Sequence, residues 1–415
     1  MRHAPQYKTH HVVCLRYLCV MKQSTPARPA SLAWPWASKR SAVISLYVVI
    51  AFLYWVSMYL YMPTLPTYIQ SKTHDLAIVG VVLSMYGLWQ AIVRLPVGIG
   101  ADWLNWQKPF IVVGLALAGV GAWRMGTANS VNALLIGRAL TGLAAGIWAV
   151  LMVAFSNLFP SHKAVQASAA LTLISSLGRV VGTSVTGTLN QVGGYWLAFL
   201  LAAVASALSV LLALVVPETR RPPQRPSLRG IGRLITRRPV WLPSALNAVG
   251  QYVIWAAPVG FVPILARQLG ATDTTQSLLL SLNLGVIVAG NLLATAVSGR
   301  VRSRHLVIMS FVLLFAGVGA IALAKALPAI FVGETLLGAS QGIGYPVLMG
   351  LSIEHVKSDE RTTAMGLHQA VYALGMFGGP WLSGLLANAV GLQPMFGLTA
   401  GACLLLGLLG ARWLE

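Results

Sequence analysis

Four ionisable residues of this 415-residue chain fall inside runs that are otherwise apolar: Arg94, Arg138, Arg179 and Glu334. An ionised side chain at the middle of a bilayer costs about 2.5–3.5 kcal/mol on insertion scales, so it is expected to face a wet cavity or a partner. Arg138 lies two turns into its run and is expected either to face a wet cavity or to snorkel to the surface. Glu334 is the one carboxylate inside such a run, six residues past Pro328. Three readings stay open for it: a titrating group, half of a structural ion pair, or an interfacial acid. The rest of the chemistry is sparse. There is no GxxxxGK[ST] phosphate loop, which excludes ATP-driven work on this chain, and no HExxH or GxSxG. Cys14, Cys19 and Cys403 are too few and too scattered for a disulfide or zinc framework. No enzyme, metal site or cofactor is expected.

These charges are placed by an apolar scaffold. The chain is 57% apolar and 9% charged, against roughly 25% charged residues in a soluble domain, which rules out a water-soluble globule. Twelve runs are long enough to cross a bilayer as helix: 42–63, 77–99, 109–126, 131–155, 164–189, 194–216, 241–265, 276–298, 306–324, 328–351, 362–388 and 393–413. Barrel strands would be shorter and would alternate in polarity. The expected fold is an all-α integral membrane protein of twelve transmembrane helices. Residues 1–41 are polar, basic and proline-containing, and are expected to form a disordered cytoplasmic tail, within which Met21 would also serve as a start. Residues 217–240 carry seven Arg and five Pro and read as a cytoplasmic linker between 42–216 and 241–415.

The net charge of +20 is a label of topology. Counted by connection, 22 of the 29 Lys and Arg lie on one face of twelve alternating spans, four on the other and three inside spans. By the positive-inside rule both termini and the linker are expected in the cytoplasm, in a multi-pass protein of the cell membrane. Attraction to anionic lipid headgroups fits this bias, and nucleic acid is not an expected partner.

The halves repeat. LAGVGA at 117–122 matches FAGVGA at 315–320; Gly137, Gly142 and Gly146 match Gly333, Gly338 and Gly342; Gly178, Gly182 and Gly187 match Gly375, Gly379 and Gly384, all at shifts of 196–198 residues. A shift of six spans keeps orientation, so two pseudo-symmetric six-helix bundles would flank a central site, as an alternating-access carrier needs. The repeat sets Arg138 opposite Glu334, which makes this pair the expected coupling residues.

Several motifs extend this reading. Gly98-Ile-Gly-Ala101-Asp102-Trp103-Leu-Asn105-Trp106-Gln107, followed by Lys108, is similar to the G-x-L-A-D-R-x-G-R-K signature of the major facilitator superfamily, with its basic positions replaced. Arg138-Ala-Leu-Thr141-Gly142-Leu-Ala-Ala-Gly146 resembles that family's R-x-x-Q-G-x-x-x-A. The fifth run, Gly178-Arg179-Val-Val-Gly182-Thr183-Ser-Val-Thr-Gly187, is similar to its antiporter motif G-x-x-x-G-P-x-x-G-G, but Gly375-Met-Phe-Gly-Gly379-Pro380-Trp-Leu-Ser-Gly384 in the eleventh run is the better match. Tyr61-Met-Pro63-Thr-Leu-Pro66 resembles the Y-x-P-x-L-P of drug-exporting members. The resemblance spans about 42–413 and implies the twelve-helix fold of that family. It also implies a cytoplasmic gate at Gly98, Ala101, Asp102 and Lys108, with Asp102 meeting the helix start at Thr362 and Thr363 or else capping its own loop. The glycines and Pro380 are expected to serve packing and rocking. Tyr54, Trp89, Asn247, Gln251, Trp255, Gln341, Tyr345, Gln369 and Tyr372 are the substrate-cavity candidates, or else packing and interfacial residues. The expected function is a monomeric secondary transporter of a small molecule, proton-coupled and outward. A facilitator or uptake symporter is the alternative, and a non-transporting receptor or scaffold the rival of another class.

Overall fold

The computed structural model describes residues 40–104, 106–160, 163–217, 236–297, 300–356 and 361–414. The expected tail, most of the linker, and the side chains of Asp102 and Thr362 lie outside the described residues. The described chain is helical nearly throughout. Eleven helices are long and apolar enough to cross a membrane, and one of them, Ala164–Val215, leaves helical geometry at Gly193 and Gly194. Dividing it there gives twelve crossing segments.

We number them in chain order. α1 is Arg40–Tyr59, extended by a tight turn at Met62–Thr64 and by Leu65–Gln70. α2 is Leu76–Leu104, α3 Gln107–Gly126, and α4 Val131–Ala145 continued by Trp148–Ser156. α5 and α6 are the two parts of Ala164–Val215. α7 is Arg238–Ala256, a wide turn at Ala257–Phe261, and Val262–Gln268. α8 is Asp273–Val297, α9 Ser303–Ala322, α10 Leu327–Glu354, α11 Arg361–Val390 and α12 Leu392–Ala411. Residues 44–415 form one compact unit, and Arg40–Val43 belong to the other. The connections α2–α3, α4–α5, α6–α7, α8–α9 and α10–α11 carry 14 of the 18 Lys and Arg that lie in or beside the connections between helices; their side is called the basic end below, and the opposite side the far end.

Backbone breaks recur at the repeat spacing. The Pro-containing turn at Met62–Thr64 of α1 and the one at Ala257–Phe261 of α7 interrupt pseudo-equivalent helices, each with a proline in its first two residues. Gly194 and Gly391, 197 residues apart, both adopt positive φ (+64° and +89°), which a side chain would oppose. Helix pairings recur too. A side chain at Gly137 would collide with the Gly121 carbonyl, and one at Gly333 with the Gly317 carbonyl. Gly178 lies on the backbone of Phe52 as Gly375 lies on that of Ala248. Without a hydrophobic drive between helices in lipid, such small-residue contacts supply the packing. Large apolar side chains such as Val113, Leu211, Leu292 and Leu405 point outward, the inverse of a soluble surface.

Candidate functional site

The centre of the described unit holds three guanidinium groups, each laid on aromatic rings. Arg138 is fully buried, 4.5 Å from the Tyr86 ring centroid and 5.9 Å from that of Trp255. Tyr86 of α2 and Trp255 of α7 stack on each other at 4.9 Å and 15°, joining the two halves of the sequence. Arg179 sits 3.8 Å above Trp55 and 5.5 Å from Tyr59. Arg94 lies 5.7 Å from the ring of Tyr372 and donates to its hydroxyl at 3.1 Å. An arginine face on an aromatic face gains quadrupole attraction, about 2 kcal/mol when desolvated. That offsets part of the burial cost and leaves the N–H donors free. All three guanidinium nitrogens of Arg138, and Nε of Arg179, have no hydrogen-bond partner.

The carboxylate is elsewhere. Glu334 of α10 is 1% exposed, and neither of its oxygens has a hydrogen-bond partner; Asn283 Nδ2 reaches only the Glu334 backbone carbonyl, at 2.9 Å. Arg138 and Glu334 therefore do not form the ion pair that one reading of the sequence allowed. Both are buried without a hydrogen-bond partner, a costly state for a charge inside a membrane.

Polar order continues on α11. His368 is held on both nitrogens, by Ser244 Oγ at 3.0 Å and Asn247 Nδ2 at 2.9 Å. Tyr345 and His368 both pack edge-on to Tyr372. Tyr54 donates to the Ala144 carbonyl at 3.0 Å, beside the break in α4. Of the cavity candidates, Tyr54, Asn247, Gln251 and Tyr372 are buried, Trp255 stacks on Tyr86, and Trp89, Gln341, Tyr345 and Gln369 are half-buried.

The two ends of the bundle differ. At the far end, a side chain at Gly187 of α5 would strike the backbone of Asp273 and Thr274, and one at Gly80 of α2 the backbone of Pro380 and Gly384. A polar network spans the same level. Asn190 Nδ2 donates to Asp273 Oδ2 at 2.7 Å and to Thr64 Oγ1 at 3.0 Å. Arg267 pairs with Asp273 and donates to the Tyr195 hydroxyl at 3.2 Å. Oriented as its neighbours require, the Gln276 amide donates to Thr67 Oγ1 and accepts from Arg267 Nε, both at 3.1 Å. Towards the basic end, Gly98 has no atom within 4 Å of where a Cβ would stand, and Gly366 meets only Leu95, at 3.8 Å.

The family model described as Major Facilitator Superfamily matches residues 47–256 and again 244–415. The chain belongs to the Major Facilitator Superfamily. It is 29% identical over 171 residues to the inner membrane transport protein YajR of Escherichia coli, an alignment covering 40% of this chain and 36% of that protein. It is 24% identical over 344 residues to the multidrug resistance protein MdtH of Aeromonas hydrophila, covering 77% and 84%. Among solved structures, a bacterial homologue of the human lysosomal transporter Spinster, in an inward-facing and unoccupied conformation, superposes with a TM-score of 0.72 at 15% identity, covering 90% of this chain and 97% of the other. That likeness concerns the fold. The relatives are transport proteins, not enzymes.

Within this superfamily frame, the loop signature splits. Ala101 is buried, while Trp103 is 67% exposed. Lys108, the expected substitute for the missing basic positions, donates to the carbonyls of Leu214 (2.6 Å) and Val216 (2.8 Å), capping α6. Unlike Gly98 of the loop signature, the glycines of the other motifs sit at helix contacts: Gly142 on the Tyr86 backbone, Gly146 on Val93, Gly338 on Asn283, Gly342 on Ile287, Gly182 on Val56, Gly379 on Tyr252 and Gly384 on Leu76. Sequence reasoning placed Arg94 and Arg179 inside spans without giving them a role, and passed over Trp55, Tyr86 and the far-end network. For the two arginines the signal was present in their cost within a span. For Asn190, Asp273 and Gln276, helix-end positions gave no local sign of the partners they meet across the fold.

Proposed function

We propose that the chain is a secondary transporter that moves a small molecule across the cell membrane by alternating access, with proton coupling and outward direction. The contrast between the ends carries this reading: backbone contacts and a polar network tie the halves at the far end, Gly98 and Gly366 make no such backbone contact towards the basic end, and uncompensated charges lie between them. Taken with the 22 basic residues on one side, the basic end is the cytoplasmic end, so both termini are cytoplasmic and the conformation is open inward. Rocking of 42–216 against 241–413 would open the far end and close the other. Glu334, buried and unpartnered, is the proton carrier in this scheme, because a carboxyl in such a place exchanges its charge for a proton when it cannot exchange it for a partner. Likeness to a multidrug resistance protein supports outward movement.

The test is accumulation of a labelled panel of aromatic acids, amines and neutral compounds in cells with and without the protein, each with and without an uncoupler. Depletion that the uncoupler abolishes is the expected result. Equilibration indifferent to the uncoupler overturns the coupling. In proteoliposomes with an imposed pH gradient, Glu334→Gln is expected to lose uphill movement and keep downhill exchange; unaltered uphill movement removes Glu334 from the scheme.

A further inference from the structure

We infer that the central site binds an organic anion carrying an aromatic ring, such as an aryl carboxylate, with Arg138 and Arg179 as its charge partners. This rests on the transport reading above and adds the substrate class to it. The argument begins with charge balance. Arg94, Arg138 and Arg179 bring three positive charges into the membrane interior, and among the described residues no carboxylate pairs with any of them. Arg94 spends one donor on Tyr372. Arg138 spends none, although its whole side chain is buried.

The three charges share one region. Tyr86, under Arg138, and Arg94 stand two turns apart on α2, and Trp55, under Arg179, packs on Tyr54, whose hydroxyl donates to Ala144 of α4, the helix that carries Arg138. Glu334 pairs with none of them. A cationic ligand would enter a field that repels it. An anion supplies the acceptors that the guanidinium forks lack, and Arg is the side chain whose planar fork matches a carboxylate.

The aromatic half of the assignment comes from the same contacts. Each guanidinium has one face occupied by Tyr86 and Trp255, by Trp55 and Tyr59, or by Tyr372. Its edge N–H groups are therefore the atoms left for an acceptor; those of Arg138 are buried in this conformation, while Arg179 is half-buried. The rings of Trp55, Tyr54 and Trp148 meet edge to face at 5.3 Å, a surface suited to a further aromatic ring beside the charge.

The experiment measures equilibrium binding of three labelled probes of nearly equal size to the purified full chain in nanodiscs: 2-naphthoate, 2-naphthylmethanol and 2-naphthylmethylammonium. Naphthoate is expected to bind at least about tenfold more tightly than the other two. Arg138→Gln and Arg179→Gln are each expected to weaken naphthoate by about 30-fold, as for a buried charge pair that loses one partner, and to leave the alcohol unchanged. Arg138→Lys, which keeps the charge, is expected to recover part of the loss and guards against a variant that has merely misfolded. Equal binding of the three probes, preference for the ammonium, absence of naphthoate binding, or full naphthoate affinity in both Gln variants overturns the assignment. Counterflow of the same probes in proteoliposomes separates the two readings. Naphthoate binding without counterflow supports the site and removes the transport reading; counterflow of the ammonium alone overturns the site and keeps transport.

Discussion

The far end and the basic end of this bundle are built from the same helices, yet they hold together differently. At the far end α5 meets α8 and α2 meets α11 through glycine, with backbone against backbone, and side chains from five helices tie the level together around Asp273. Towards the basic end α2 has no atom within 4 Å of a Cβ at Gly98, and Gly366 of α11 meets only Leu95, at 3.8 Å. The repeat makes the lesson specific. Gly187 and Gly384 are pseudo-equivalent, and each forms the close contact of its half with the other half, so the far-end seal is itself two-fold. The polar network is not: Asp75, which the repeat sets opposite Asp273, accepts from the Ala77 and Ile78 N–H groups at the start of its own helix, whereas Asp273 takes Asn190 and Arg267 from two other helices. A symmetric backbone seal sets the geometry of closure, and an asymmetric polar network adjusts its strength.

Breaking the seal should have the largest effect. Gly187→Leu places a branched side chain where the backbone of Thr274 stands. Overpacking of this kind costs about 1–3 kcal/mol, which displaces a two-state equilibrium by roughly 5- to 150-fold towards the far-end-open form. The readout is maleimide labelling, from the far side, of a cysteine introduced by Ser281→Cys in a background lacking Cys14, Cys19 and Cys403. Ser281 bonds Thr183 at 2.8 Å beneath the seal, so its labelling rate should rise by that factor; an unchanged rate would mean that the glycine contact does not hold the end closed.

Loosening the network should do less. Asp273→Asn keeps the shape but removes the charge facing Arg267, whose side chain is 42% exposed. Screening limits an exposed pair to about 0.5–1 kcal/mol, so labelling at the same cysteine should rise about two- to fivefold. A change as large as that from Gly187→Leu would reverse the ranking of backbone seal over polar network.

The smallest effect is expected at the basic end. Lys108→Met leaves the carbonyls of Leu214 and Val216 to water, costing less than about 1 kcal/mol at a helix terminus. The melting temperature should fall by about 1–3 °C, while far-end labelling stays constant. A shift in labelling would make Lys108 part of the gate that its place in the loop signature suggests.

Much of the scaffold was legible from residue order. The span lengths, the alternation of basic connections and the glycine spacing each follow from one-dimensional physics: hydrocarbon thickness, the cost of moving charge across it, and the room needed where helices touch. The candidate site was legible in part. Arg138 and Glu334 stand out because a charge inside an apolar run is costly wherever it points. Their relation did not follow, since pseudo-equivalence in a repeat places two residues at matching heights in different halves without bringing them into contact. Tyr86 and Trp255, 169 positions apart, stack only because α2 and α7 line the same interior. Thr67 and Gln276 meet for the same kind of reason.

Residue order alone thus determined that this protein crosses a membrane twelve times, which side its basic connections share, and that its halves repeat, because each of these depends on how apolar length and charge are distributed along the chain. Only the tertiary structure decided which end is closed, that the buried arginines rest on aromatic rings instead of on Glu334, and that Lys108 caps α6. Those are choices among partners, and partners are set by how helices from distant parts of the chain come to lie side by side.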